Sequence, residues 1–438
     1  MSKSHLRKDV SGLTALTMVI GTVIGAGVFF KPTAVFGAAG APGLGLLAWI
    51  LGGMIAIAGG LTIAEIGTIY PETGGLMVYL EKIYGKFIGF LVGWAQFIVY
   101  FPANIAALSI IFATQAISLL GMSDQWLIPI ALLIATIVMG LNFLGTKYGG
   151  AVQTVSTILK LVPLAVIIIG GFLSDHASSV RLLPLSVESH PVVTGLGSAL
   201  VATIFAYDGW MNVGALAGEM KSPEKVLPKV IVGGLSVVIS VYVMINVAYL
   251  FAMSAPELSQ TATPASDVAQ ILFSGLGGKL VTIGILISVF GGINGYTMAG
   301  IRIPYAMGLN GLLPFSSWFT KLGEKSKMPV NGGLIMLGIS LMMICSGQFN
   351  QLTDMLIFVI WLFNILAFIG VFILRKTKPD MKRAYHVPLY PVVPLVAVLG
   401  GCYIVLNTLW TQPLNALLGV CLTLLGVPIY FWAKKMNE

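Results

Sequence analysis

The sequence predicts an all-α, polytopic membrane protein of twelve transmembrane helices, built as two inverted five-helix halves followed by a peripheral pair. Three observations carry this expectation. The 438 residues are 57% hydrophobic and only 9% charged, with a mean hydropathy of +0.95; a water-soluble chain of this length has no interior large enough for so much apolar surface. Apolar runs long enough to cross a bilayer recur along the whole chain. The basic residues fall almost entirely on one side of those runs.

The runs place helices near 12–37, 43–68, 86–118, 127–144, 150–173, 192–217, 229–254, 276–308, 330–347, 352–374, 387–409 and 412–433. With the N-terminus inside, only Arg181 and Lys279 of the 24 Lys and Arg residues lie in outer segments, and Lys31 and Lys160 lie within spans. All the others sit in inner segments, so both termini are expected in the cytoplasm of a multi-pass cell-membrane protein. The net charge of +8 is therefore topological. It adds a modest attraction for anionic lipid and does not point to nucleic acid. The polar start, Met1 to Ser11, runs into the first span with no small-residue cleavage site after it, so no cleaved signal peptide is expected. One transporter-like domain is expected over 1–438. Helices 1–5 (12–173) and 6–10 (192–374) form the repeat, and helices 11 and 12 (387–433) pack peripherally after the basic stretch Arg375–Arg383.

Each half opens with a glycine-broken helix. The first break is Gly21-Thr22-Val23-Ile24-Gly25-Ala26-Gly27-Val28-Phe29, and the second, about 180 residues later, is Phe205-Ala206-Tyr207-Asp208-Gly209-Trp210. A helix interrupted in mid-membrane leaves N–H and C=O groups unpaired, and persists only where it lines a cavity or binds something. Half-helix N-termini face an anion and freed carbonyls face a cation. A zwitterion supplies both charges, so an amino acid is the expected substrate. The amides of Ala26 and Gly27 would receive its carboxylate, and the carbonyls of Val23 and Ile24 its ammonium. Carbonyls near Phe205 and Ala206 would add acceptors, with the Phe205 ring closing over the substrate as a gate. The competing reading is packing: Gly21 and Gly25 form a GxxxG pair, and most aromatics simply fill a core.

Asp208 is expected to cap the half-helix that begins at Gly209, accepting from the amides of Met211 or Asn212. Its other possible roles are counter-ion for a cationic side chain or proton carrier. Lys160 lies about ten residues into helix 5, where a lysine costs roughly 2.5–3.5 kcal/mol on insertion scales and needs a partner. Its ammonium can replace a bound sodium ion, tying helix 5 to carbonyls of helix 1 such as Gly21 and to a hydroxyl of helix 8, for which Ser288 is the candidate. Gln96, Tyr100 and Asn104 recur every four residues and make one polar stripe on helix 3, lining the path or bonding neighbouring helices. Tyr242, Trp361 and Asn364 are weaker candidates of the same kind, and Glu65 is expected in a structural ion pair.

No enzyme is indicated. His5, His176, His190 and His386 fall in loops, termini or membrane edges, without metal-ligand or nucleophile–base spacing. The glycines follow no strand, so no dinucleotide or phosphate loop is expected, and no cofactor is implied. Cys345, Cys402 and Cys421 all fall in helices and are expected to be buried small hydrophobes.

The two breaks, together with Ala64-Glu65-Ile66-Gly67, Pro71-Glu72-Thr73-Gly74-Gly75 and Gly218-Glu219-Met220-Lys221-Ser222-Pro223, resemble the amino acid–polyamine–organocation superfamily over essentially the whole chain. Within it the sequence is similar to the L-amino-acid transporter branch, and most of all to bacterial serine/threonine and alanine–serine–cysteine exchangers. The resemblance implies a LeuT-like fold and sodium-independent, obligatory exchange of small neutral L-amino acids such as alanine, serine, threonine and cysteine. It also implies carboxylate binding at Gly25, Ala26 and Gly27, amine binding and gating at Phe205, and a helix 5 lysine at Lys160. Animal members often carry Gly where this chain has Asp208 and Asn where it has Met211, which argues against large aromatic substrates; a tyrosine common in the family is Met77 here. Animal members also bind a glycoprotein partner through a cysteine between helices 3 and 4. Leu119–Leu127 has none, so no disulfide-linked heavy subunit is expected. On the residues alone a proton-coupled symporter using Lys160 or Asp208 remains open. A channel is disfavoured because no ring of like charges appears.

Overall fold

The computed structural model describes residues 16, 19–21, 23–70, 75–174, 192–211 and 223–437. Among them there is no strand, and nine helices are long and apolar enough to cross a membrane. The chain folds as a polytopic helical membrane protein.

Its main helices follow the apolar runs closely. They are α1 (Gly27–Ala39), α2 (Pro42–Ile69), α3 (Lys86–Ala95 continuing to Phe101–Leu120), α4 (Leu127–Phe143), α5 (Thr146–Leu159 and Leu161–Leu173), α6 (Val192–Ala206) and α7 (Pro223–Ala252). There follow α8 (Pro264–Gly300), α9 (Val330–Ile344), α10 (Phe349–Thr377), α11 (Val392–Thr411) and α12 (Pro413–Leu424 and Gly426–Asn437). The punctuation is chemical. α1 ends at Gly40, in a left-handed conformation with φ 67°, whose amide closes on the Phe36 carbonyl at 2.9 Å. Proline opens α2, α8 and α12, where its missing N–H costs nothing.

Three features depart from the sequence expectation. The outer segment Ser254–Gly275 is largely helical rather than a loop. It holds the short helix Ala255–Gln260, closed by a Ser254/Glu257 capping box, and the first turns of α8. α8 kinks at Ser274 and Gly275, both at positive φ, so the expected start at 276 marks the kink instead of the end of the helix. Cys345 and Cys421 are exposed and Cys402 half-buried, because each lies on a helix face or end turned away from the core. In addition, α3 contains a π-helical turn over Gln96–Tyr100 that α-helical periodicity cannot reveal.

The core is one continuous apolar cluster. α1 lies against α6, α2 against α7, and α3 against α8. α11 leans on α2, α6 and α10, while α12 leaves most of its surface exposed. At the inner ends of α2 and α10, Glu65 is almost fully buried and accepts from Arg375 Nε at 2.9 Å and Nη2 at 2.6 Å, with Arg383 Nε at 3.5 Å. The Val387 amide donates to the same carboxylate at 2.8 Å, pinning the segment before α11. Glu65 is thus the structural ion pair its position suggested.

Candidate functional site

Both breaks form. Before α1 the chain is helical at 19–21 and 23 and bends through Ile24, Gly25 and Ala26. The Ile24 amide donates to the Ile20 carbonyl at 2.9 Å, and the next turn opens with Phe29 donating to Ala26 at 3.0 Å. α1 has no side-chain N-cap, so its first amides lack partners from its own helix. α6 stops at Ala206, turns through Tyr207 and Asp208, and passes Gly209 at φ 106°, a conformation that favours glycine. Residues 212–222 lie outside the described residues, and with them Asn212 and most of the Gly218–Pro223 motif; Pro71–Gly74 does too.

The two breaks touch. A Cβ built on Gly27 would lie 2.6 Å from Ala206 Cα and 2.8 Å from its Cβ, so only glycine allows the approach. Tyr242 of α7 bridges them from below: its hydroxyl lies 2.9 Å from the Val23 carbonyl and 3.0 Å from the Ala206 carbonyl. One O–H proton serves two acceptors, so the hydroxyl locks the spacing of the breaks. Tyr207 points the other way, donating to the Trp49 carbonyl at 2.8 Å, and Trp49 packs edge-on to both tyrosines. Tyr242, only a weak sequence candidate, is therefore central. Of the expected ammonium acceptors, Val23 and Ala206 each already take the Tyr242 proton, and Phe205 takes the Asp208 amide at 3.3 Å. A carbonyl has two lone pairs, so each keeps one.

Lys160 is buried at the joint of α5, and its Nζ donates to the Gly21 carbonyl. Pro163 lacks an amide for the Leu159 carbonyl, which explains why α5 is interrupted here. Ser288 is not its second partner. That hydroxyl is buried in α8 without a hydrogen bond among the described residues, because α8 presents it to the core and not to the ammonium.

Asp208 is not the cap the sequence suggested. Its Oδ2 accepts from the Tyr100 hydroxyl on α3 and from the Tyr296 hydroxyl on α8, the latter at 3.2 Å; the Gly209 amide is a third donor. Only a short turn at Trp210–Met211 follows in the described residues, so no helix begins there to be capped. The π turn of α3 ends at Tyr100 and aims it inward. Asn104 donates to the Tyr100 carbonyl at 2.9 Å, and Gln96 Oε1 is buried without a partner, so the stripe splits into separate roles. Trp361 and Asn364 are buried in α10, with Asn364 Oδ1 unpartnered.

Phe205 is buried, with its ring edge-on to Phe349 at 5.7 Å. Between them sits Lys31 of α1, which sequence reasoning left merely within a span. Its Nζ is 5.1 Å from the Phe205 centroid and 4.8 Å from that of Phe349. It donates to Thr353 at 2.7 Å and Asn350 at 3.1 Å, with Asp354 Oδ1 at 3.9 Å. The signal was available: an intramembrane lysine one turn past Gly27, and Asp354 early in the apolar run of α10. Pro32 also frees the Val28 carbonyl, to which the Tyr249 hydroxyl donates at 3.4 Å. Tyr296 was missed because nothing in its local sequence marks it.

The arrangement offers unpaired amides, carbonyls with spare lone pairs, and polar side chains from α3, α7 and α8 around one point. The geometry suits a small zwitterion. Comparison with known proteins agrees. A family model described as amino acid permease matches residues 10–432. The chain is 42% identical over 433 residues to a serine/threonine exchanger of Bacillus subtilis (strain 168), covering 98% of each chain. It is 29% identical to the human cystine/glutamate transporter, covering 99% of this chain and 87% of that one. It is also 29% identical to human large neutral amino acids transporter small subunit 2, covering 98% and 82%. With the family matched over nearly its whole length, the chain belongs to the amino acid permeases, membrane transporters and not enzymes.

Proposed function

We propose that this permease is a sodium-independent exchanger of small neutral L-amino acids such as alanine, serine, threonine and cysteine, working by alternating access. The observation that carries the reading is the contact of two interrupted helices, α1 and α6, with the Lys160 ammonium donating to the Gly21 carbonyl beside them. A fixed ammonium at that carbonyl takes the place of a coupling cation. The substrate carboxylate binds the amides of Gly25, Ala26 and Gly27, and its ammonium binds carbonyls of Val23, Ile24, Phe205 and Ala206. Phe205 closes over it. Identity to a protein named a serine/threonine exchanger supports exchange and the small neutral substrate class.

The fold that serves this is a LeuT-like 5+5 inverted repeat of twelve crossings, with both termini cytoplasmic in the cell membrane. Pairing of helices five apart (α1 with α6, α2 with α7, α3 with α8) supports the repeat. The only cysteines are Cys345, Cys402 and Cys421, none between α3 and α4, so the chain works without a disulfide-linked heavy subunit. A second reading, proton-coupled symport, is favoured by one observation: Asp208, a carboxylate at the α6 break, makes no ion pair among the described residues.

The test is uptake of labelled alanine or serine into proteoliposomes without sodium or a pH gradient, with half of the vesicles preloaded with unlabelled amino acid. Exchange predicts uptake in loaded vesicles only. Equal uptake in empty vesicles overturns exchange, and stimulation by an inward proton gradient selects symport.

A further inference from the structure

The Tyr100–Asp208–Tyr296 cluster does work that neither break requires. Asp208 keeps part of its surface accessible although it lies at the interruption of α6, and so do Gly25 and Tyr296. A Cβ on Gly25 would meet nothing but its own neighbour's carbonyl, so there is open space beside the α1 break. The carboxylate faces three neutral donors, from α3, from α8 and from the Gly209 amide, and both tyrosine hydroxyls converge on the same oxygen, Oδ2. A carboxylate has about four acceptor sites, of which three are used here.

The surroundings limit what the remaining site can take. The rings of Tyr100, Phe101 and Tyr296 pack edge-to-face at centroid distances of 5.0, 6.1 and 6.4 Å. That wall fills the space a bulky side chain would need. An acidic side chain would bring a second negative charge to a buried carboxylate that makes no ion pair among the described residues. An apolar side chain of the same size would leave the carboxylate's free site without a donor. A short side chain with one O–H meets all three conditions.

We infer that Asp208, held by Tyr100 and Tyr296, is the specificity determinant of this permease and accepts a hydrogen bond from the side-chain hydroxyl of its amino acid substrate. The inference rests on the exchange reading and narrows it to hydroxyl-bearing substrates. Tyr100 and Tyr296 are positioning residues: they orient Oδ2 and leave the rest of the carboxylate to the substrate. A site built to hydrogen-bond a hydroxyl rejects the isostere lacking it, because the buried acceptor is then left without a partner.

Two isosteric pairs test this in proteoliposomes of the full chain preloaded with alanine: serine against 2-aminobutyrate, and threonine against valine. Each pair differs only by hydroxyl against methyl. The native protein should favour the hydroxylated member of each pair in kcat/KM by about tenfold or more. Asp208→Ala should bring both ratios to within about threefold of unity while alanine exchange persists. Tyr296→Phe should keep the preference, since the carboxylate remains. Should Asp208→Ala fail to fold, the isostere ratios of the native protein stand as the test. Absence of discrimination in the native protein overturns the inference, as does discrimination that survives Asp208→Ala. Preference for ornithine or lysine would make Asp208 a counter-ion and also overturn it. If no amino acid exchanges at all, the exchange reading itself has failed, which is a separate result.

Discussion

A carboxylate at position 208 has two local possibilities, to cap a helix that follows or to reach across to another one, and local sequence cannot choose between them. What lies across the bundle chooses: two tyrosine hydroxyls reach Asp208 from helices about a hundred residues away on either side. Lys160 behaves in the same way, its partner Gly21 being 139 residues distant. Removing that ammonium loses a hydrogen bond from a charged donor, worth about 1.5–3 kcal/mol. Lys160→Ala should therefore lower exchange by at least about tenfold with the protein still folded; full activity with an unchanged melting profile would sink the cation-surrogate role. Tyr242→Phe removes only the hydroxyl that bridges Val23 and Ala206. A neutral hydrogen bond is worth about 0.5–1.5 kcal/mol. Exchange by Tyr242→Phe should slow by about two- to tenfold, read from initial rates in preloaded vesicles.

Between helices, two buried ion clusters set how elements are joined. On one side Lys31 ties α1 to α10 while its ammonium sits between the rings of Phe205 and Phe349. Breaking a buried pair by removing one partner costs about 3–5 kcal/mol, because the other charge stays behind. Lys31→Met should fall near the lower end, since the Asp354 side chain keeps 18% exposure. The double variant Lys31→Met/Asp354→Leu should recover much of the lost melting temperature; no recovery would mean that the pair is not the source of the loss. On the other side Glu65 holds Arg375, Arg383 and the Val387 amide together, joining α2, the end of α10 and the approach to α11. Glu65→Gln should lower thermal stability and leave the substrate KM of the folded fraction unchanged, because none of these groups lies at the breaks. A changed KM would place the cluster in the transport cycle.

At the scale of the molecule, the expected orientation has a direct check: protease or antibody applied to intact cells should fail to reach a tag at either terminus and reach it after permeabilisation. Accessibility from outside would invert the assignment drawn from the basic residues. Much of the architecture follows from composition alone. Hydropathy places each helix because, without water, backbone groups must bond within their own segment, so a long apolar run has one outcome. The two breaks were legible for the converse reason: clustered glycine in such a run signals a helix that must be completed by something else. Legibility stopped where partners are distant. The π turn ending at Tyr100, the solitary Ser288 hydroxyl, the Lys31 cluster and the role of Tyr296 depend on contacts between residues far apart in the chain. Sequence by itself determined where this chain crosses apolar surroundings and where its helices must open. Tertiary structure alone decided which polar group meets which, because a buried donor or acceptor is satisfied by whatever packing brings within about 3 Å.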